Sequence, residues 1–176
     1  IRYKSTSSQG KKKTGSSKVN AGASKEQLLA ARAWLLSAED YEVSANGMNI
    51  TAFSKEYISE LSVLQQSLRV VQAGVTLAEV KGKDLIPNHA LAMSTVQVSD
   101  AFPREEISYE QAIAYLRKEA IVLSGTAPRG YVLLTYKDVP LGFVKNIGNR
   151  ANNLYPQEWR IRSGYLPDEI LMLLKS

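Results

Sequence analysis

The sequence predicts an α+β fold: a small α/β unit followed by a strand-rich unit, with a polar linker in front. Three observations carry this reading. Two capping boxes, Ser24-Lys25-Glu26-Gln27 and Ser108-Tyr109-Glu110-Gln111, each open a run with apolar residues at helical spacing. Runs rich in β-branched and aromatic residues, punctuated by turn dipeptides, lie between and after them. A break at Asp100-Ala101-Phe102-Pro103-Arg104 separates the two sets. The expected organisation is a flexible basic linker at 1–23, a first unit at 24–98 and a second at 99–176.

Composition narrows the function classes. The 176 residues are 44% apolar, enough for a core, and carry a net charge of +5. That charge is unevenly placed. Residues 1–25 hold seven cations and no acid, leaving 15 cations against 17 acids in residues 26–176. A nucleic-acid surface on the folded part is therefore a local patch, not a uniformly positive body. The chain has no cysteine and one histidine, which excludes disulfides, a thiolate nucleophile and Cys- or His-rich metal sites. No run reaches the ~18 apolar residues of a membrane span and none reads as a signal peptide, so the expectation is a soluble, cytoplasmic protein with no membrane partner. A start at Ile1, not Met, reads as residues missing upstream.

In chain order, residues 1–23 are too poor in apolar positions to offset their ordering entropy. The Lys11-Lys12-Lys13 run reads as a solvated linker in preference to a phosphate contact. Ser24 opens a helix expected over about 25–39, with Leu28, Leu29, Leu35 and Leu36 on its apolar face and Trp34 in the core. Tyr41–Val43 and Met48–Phe53 flank Asn46-Gly47 as a hairpin. Residues 54–64 suit a short helix, and 68–80 one long strand or two bent at Gly74. Lys81-Gly82-Lys83 reads as a turn. Pro87–Met93 reads as a helix start, with Pro87 in the first turn and His89 as a packing or capping residue, not an acid/base.

Ser108 then opens a second helix running to about Lys118, with an Ile107/Ala112 staple burying Ala112, Ile113 and Leu116. Glu105, Glu106 and Glu110 are placed to favour its N-terminus. Ile121–Leu123 is a short strand candidate. Tyr131–Tyr136 and Val139–Lys145, joined at Lys137-Asp138, form a hairpin with Pro140 at a strand start or edge. The segment 167–174 reads as a closing helix turn or terminal strand.

The functional signal concentrates in residues 141–162. This stretch holds four cations (Lys145, Arg150, Arg160, Arg162), a run of amides including Asn146, Asn149, Asn152 and Asn153, the rings of Tyr155 and Trp159, and a single acid, Glu158. Cations bind phosphates, amides pair with base edges or 2′-hydroxyls, and rings offer a stacking surface. The candidate RNA-binding set is Lys145, Arg150, Asn152, Asn153, Tyr155, Arg160 and Arg162. Asn149, beside Gly148, is a turn residue first, since Asn tolerates φ > 0. Trp159 is balanced between core and stacking platform. A strand at 159–162 would set Trp159 and Ile161 on one face and the two arginines on the other.

Two sets of motifs together resemble a known family. Ala73-Gly74-Val75-Thr76-Leu77-Ala78-Glu79-Val80 with Pro87-Asn88-His89-Ala90-Leu91-Ala92 is one. Gly130-Tyr131-Val132-Leu133, Leu141-Gly142-Phe143-Val144-Lys145, Asn153-Leu154-Tyr155-Pro156 and Arg160 make the other. In this order and spacing they resemble the C-terminal region of bacterial Sun-family RNA cytosine-5 methyltransferases, the type acting on small-subunit ribosomal RNA. The resemblance spans about 60–162 and implies a small α/β unit followed by a PUA-like mixed β-barrel that binds RNA. Where the family reads Lys-Asn-His-Tyr-Pro, this chain has Asn152-Asn153-Leu154-Tyr155-Pro156, with Arg150 placed to supply a lost cation.

The family's chemistry uses two cysteines and a glycine-rich loop for S-adenosylmethionine, and the chain has neither. The implied reading is a targeting fragment, with no cofactor of its own, of an S-adenosylmethionine-dependent methyltransferase. Its partner would be small-subunit ribosomal RNA, and it could dock on the parent's catalytic domain. The alternative is a protein-interaction module that docks on a ribosomal protein or on that catalytic domain. A stand-alone enzyme built on His89 or Glu105/Glu106 lacks a nucleophile–base–orienter set.

Overall fold

The computed structural model describes residues 22–163; all but the last two residues of the expected linker at 1–23, and the closing segment 167–174, fall outside the described residues. Helices and strands mix as the α+β reading expects. Four strands, β1 (Tyr41–Asn46), β2 (Asn49–Ser54), β3 (Val75–Lys81) and β4 (Asp84–Pro87), form an antiparallel sheet in that order. Four more, β5 (Arg104–Glu106), β6 (Gly130–Tyr136), β7 (Val139–Asn146) and β8 (Ala151–Asn153), form a mixed sheet in which β5 and β6 run parallel. Around them lie helices α1 (Lys25–Arg32), α2 (Ile58–Ser67), α3 (His89–Ala92) and α4 (Tyr109–Leu116). Among the described residues no helix is long and apolar enough to cross a membrane.

Local chemistry sets most element starts. Both capping boxes form: Ser24 accepts from the Gln27 N–H while Gln27 reaches back, and Ser108 and Gln111 repeat the exchange. Both turn residues of the β6–β7 hairpin, Lys137 and Asp138, take positive φ (50° and 63°), the twist that two-residue hairpins require.

Several elements depart from expectation because tertiary pairing overrides local pattern. α1 stops at Arg32, well short of 39, because the Leu36 N–H bonds Val96 O at 2.7 Å and the Val98 N–H bonds Trp34 O at 2.9 Å. Its expected apolar face is split: Leu35 is buried, but Leu29 and Leu36 are exposed. Residues 68–74 are not a strand. Gly74 turns at φ 71°, so close to the Ala52 carbonyl that a Cβ would overlap it, and only Val75–Lys81 pairs. Pro87 ends β4, an unexpected strand, and Asn88 caps α3 instead. Ile121 makes a single bridge to Ala151. Glu105 and Glu106 lie on β5, where Glu106 accepts from the Thr135 hydroxyl at 2.6 Å and Glu105 from the Ser124 N–H at 3.1 Å.

The mixed sheet is buried on both faces. Val132, Leu134 and Val144 pack with Ile107, Ala112 and Tyr115 under α4. Leu133 and Phe143 point the other way and join Leu77, Leu91, Ile50 and Ala31 in one continuous core with the first sheet. Phe102 links the two, its ring 4.8 Å from Trp34 and 4.7 Å from Phe143, so Trp34 is a core residue as expected.

Candidate nucleic-acid interface

The sheet register sorts the sequence-predicted residues. Tyr131, Lys145 and Asn152 are direct neighbours across β6, β7 and β8, and residues opposite one another share a face. Lys145 Nζ sits 5.3 Å from the Tyr131 ring centroid and 3.2 Å from Oδ2 of Asp84, the first residue of β4. The Asp84 contact, with Tyr131, holds the ammonium above its usual range. At side-chain exposures of 38% and 62% that pair is screened by water and weak, so Lys145 keeps most of its freedom to meet another anion. Asn152 is exposed beside it, and Arg150 is exposed in the turn closed by the Ile147 N–H to Arg150 O bond.

Asn153 belongs to the opposite face. Its Nδ2 donates to Tyr115 O at 2.9 Å and Glu119 O at 3.1 Å, and its Oδ1 accepts from the Tyr155 N–H at 2.9 Å. Both of its N–H groups are spent on the end of α4. Asn146 is similarly committed, to Ala127 O, Pro128 O and the Gly148 N–H. Asn153→Ala is expected to leave Glu119 O and the Tyr155 N–H without this partner and Tyr115 O with Lys118 alone, costing about 2–3 kcal/mol and roughly 5–10 °C in melting temperature. Asn152→Ala, on the exposed side, is expected to stay within about 0.5 kcal/mol of wild type in the same melt.

The second group gathers around α4's C-terminus. Tyr155 is half-buried, its ring 5.3 Å from Tyr115 and 5.1 Å from His89. His89 packs as expected; burial lowers its pKa, and its Nδ1 is enclosed without a hydrogen-bond partner. Beyond Pro156 the chain makes a 3-10 turn at Gln157–Trp159, not the strand that alternation suggested. The turn stands Trp159 edge-on to His89, centroids 5.3 Å apart, with 58% of its surface exposed. Trp159 is therefore a surface ring on a rigid support, a position sequence alternation would have buried.

Past the turn, the Ile161 N–H bonds Leu116 O at 2.9 Å and pins the segment to the helix end. Arg160 and Arg162 flank that anchor and line an open cleft of about 320 Å³. Its other wall carries Arg117 and Glu119. Arg117 was missed in the sequence because a lone arginine ending a helix reads as a C-terminal cation. The structure thus makes two clusters, Lys145/Asn152 with Tyr131 and Tyr155/Trp159 with Arg160/Arg162, and sets Arg150 in a turn near the first.

The mixed sheet and its capped helix form a PUA-like domain, by the family model that matches this part of the chain. Residues 102–161 match the model of the methyltransferase RsmF PUA domain. Relatives agree. The chain is 30% identical over 99 residues to a ribosomal RNA small subunit methyltransferase F of Klebsiella pneumoniae (strain 342), covering 56% of this chain and 20% of the relative. To the protein of the same name from Shewanella woodyi it is 35% identical over 92 residues, 52% of this chain and 19% of the relative. To that of Salmonella newport it is 31% identical over 110 residues, 61% and 22%. The chain spans about a fifth of the length of these relatives.

Proposed function

We propose that this chain is the RNA-binding, targeting part of an S-adenosylmethionine-dependent methyltransferase that modifies cytosine C5 in small-subunit ribosomal RNA, working in the cytoplasm. The observation that carries the reading is Trp159, exposed on a support of His89 and Tyr155, next to two arginines. A ring held at a fixed angle stacks a splayed base without an ordering cost, and adjacent guanidiniums take the flanking phosphates. The family match and the names of the relatives support RNA, and small-subunit ribosomal RNA in particular, as the partner.

The methyl-transfer step does not fit these residues. Attack on a cytosine ring by a cysteine needs a thiolate, and the chain has no cysteine. In this reading S-adenosylmethionine and the nucleophile belong to the catalytic domain, and this part supplies affinity and orientation.

The test is fluorescence-anisotropy binding of a small-subunit ribosomal RNA helix-loop fragment at two salt concentrations. The full chain would carry all seven cations of residues 1–25 changed to serine, so that the tail does not contribute. Trp159→Ala is expected to weaken binding by about 1–3 kcal/mol. Lys145→Ala/Arg160→Ala should lower the salt slope by roughly one per lost phosphate contact. Salt-insensitive binding, or binding indifferent to all three changes, would sink the proposal.

One observation favours a second role for the same chain. α2 has no buried residue, and Tyr57, Leu64 and Leu68 present an exposed apolar line along it. Such a line suits docking on the parent's catalytic domain. A protein complex that survives nuclease treatment and is lost with Leu64→Asp would support docking.

A further inference from the structure

We propose that the cleft at the end of α4 holds one backbone phosphodiester of the bound RNA, gripped by Arg117 together with Arg160 and Arg162. The inference rests on the RNA-binding reading above and extends it, giving the strand a path from the Trp159 ring past the end of α4.

The cleft carries three guanidiniums against one carboxylate, Glu119. Among the described residues the single ion pair is Lys145 with Asp84, so none of the three arginines is neutralised by an acid there. Arg117 is partly fixed: Nη2 donates to Ser163 O at 2.9 Å, while Nε is enclosed with no partner. A guanidinium anchored through one nitrogen has lost most of its rotamer freedom before a ligand arrives, so little further entropy is spent on binding. Arg160 and Arg162 are exposed and sit on either side of Ile161, whose N–H is bound to Leu116 O. The donors therefore converge from two segments, each tied to the same helix end.

A helix C-terminus disfavours an anion, and here that objection is met. Ile113 O accepts from the Arg117 N–H, Ala114 O from Glu119, Tyr115 O from Lys118 and Asn153, and Leu116 O from Ile161. The last carbonyls are all engaged, and the guanidiniums outnumber what remains of the dipole. A cleft of about 320 Å³ has room for a phosphate with its sugar, and it is open enough for a strand to enter and leave.

The experiment uses the full chain and a fluorescent single-stranded RNA octamer, titrated at several salt concentrations. Inorganic pyrophosphate serves as the competitor. Arg117→Ala is expected to weaken binding about tenfold and to flatten the salt slope by roughly one. Arg117→Lys should restore the slope but not the affinity, because an ammonium keeps the charge and loses the fork. Glu119→Gln, which removes the one acid, should tighten binding, and it remains informative even if Arg117→Ala does not fold.

If Arg117→Ala and Glu119→Gln leave affinity and slope unchanged while Trp159→Ala still weakens binding, the RNA reading stands and the cleft assignment is overturned. If the wild-type chain does not bind the octamer, both are overturned. Competition by pyrophosphate as strong per site as by unlabelled RNA would make the cleft a free-anion site and overturn the backbone assignment.

Discussion

Gly142→Ala is expected to destabilise the fold by about 3–5 kcal/mol, the sum of a strained backbone and an overpacked site. Gly142 has φ 140°, outside the range that a residue with a Cβ adopts readily. The methyl group would overlap Tyr115 Oη and lie 2.8 Å from His89 Nδ1. Neither neighbour has somewhere to go. Tyr115 is fully buried and donates to Phe143 O at 3.2 Å, and its phenol is held well above the usual tyrosine range by that burial. His89 is wedged between Tyr155 and Trp159. The glycine thus lies beneath the His89–Tyr155–Trp159 ring cluster, and under the RNA-binding proposal the consequence reaches function. Denaturant melts of Gly142→Ala should show the stability loss, and residual RNA affinity should fall even where the variant is still folded. A melt within 1 kcal/mol of wild type would mean that Tyr115 and His89 can step aside.

The parts of this architecture legible in the sequence are those set by residues near one another in the chain. Ser24 with Gln27 and Ser108 with Gln111 act over three residues, and both boxes form. The turn signals are equally local: the Lys137-Asp138 turn forms as expected, and the first hairpin turns one residue on from Asn46-Gly47, at Gly47-Met48, with Asn46 paired to Asn49. What could not be read depends on distant partners. α1 ends where it does because of a segment sixty residues on. β4 is four residues long and exists by pairing with β3. The same limit applies to the site. That Lys145 meets Asp84 is a matter of tertiary structure, and so is the spending of Asn153 on α4. Composition left Trp159 balanced between core and surface, and a strand at 159–162 would have turned it inward; after Pro156 the chain instead makes a 3-10 turn that leaves it exposed. Composition drew attention to residues 141–162. It did not draw it to Arg117, which lines the same cleft as Arg160 and Arg162 from the end of a helix more than forty residues earlier.

Phe143→Ala is the other change with a large expected effect, about 3–5 kcal/mol from lost burial and the cavity left behind. Small domains have only about 5–15 kcal/mol to lose. Phe143 is 1% exposed and stacks on Phe102, the first residue of the family-matched segment, which in turn stacks on Trp34. That aromatic chain runs from α1's end through the segment between the sheets into the centre of β7, so the first unit covers a face that the PUA-like sheet would otherwise expose. A shared core predicts shared unfolding. In a Trp159→Phe background, Trp34 fluorescence reports the first unit and far-UV circular dichroism reports both. Their denaturation curves should coincide in the parent and shift together with Phe143→Ala. If the Trp34 transition stays in place while the circular dichroism splits, the two sheets fold independently and the stack is a contact, not a core. Coincidence would explain why the PUA-like domain carries the extra unit: it buries the apolar side of the sheet whose other side holds α4 and the arginine cleft in register.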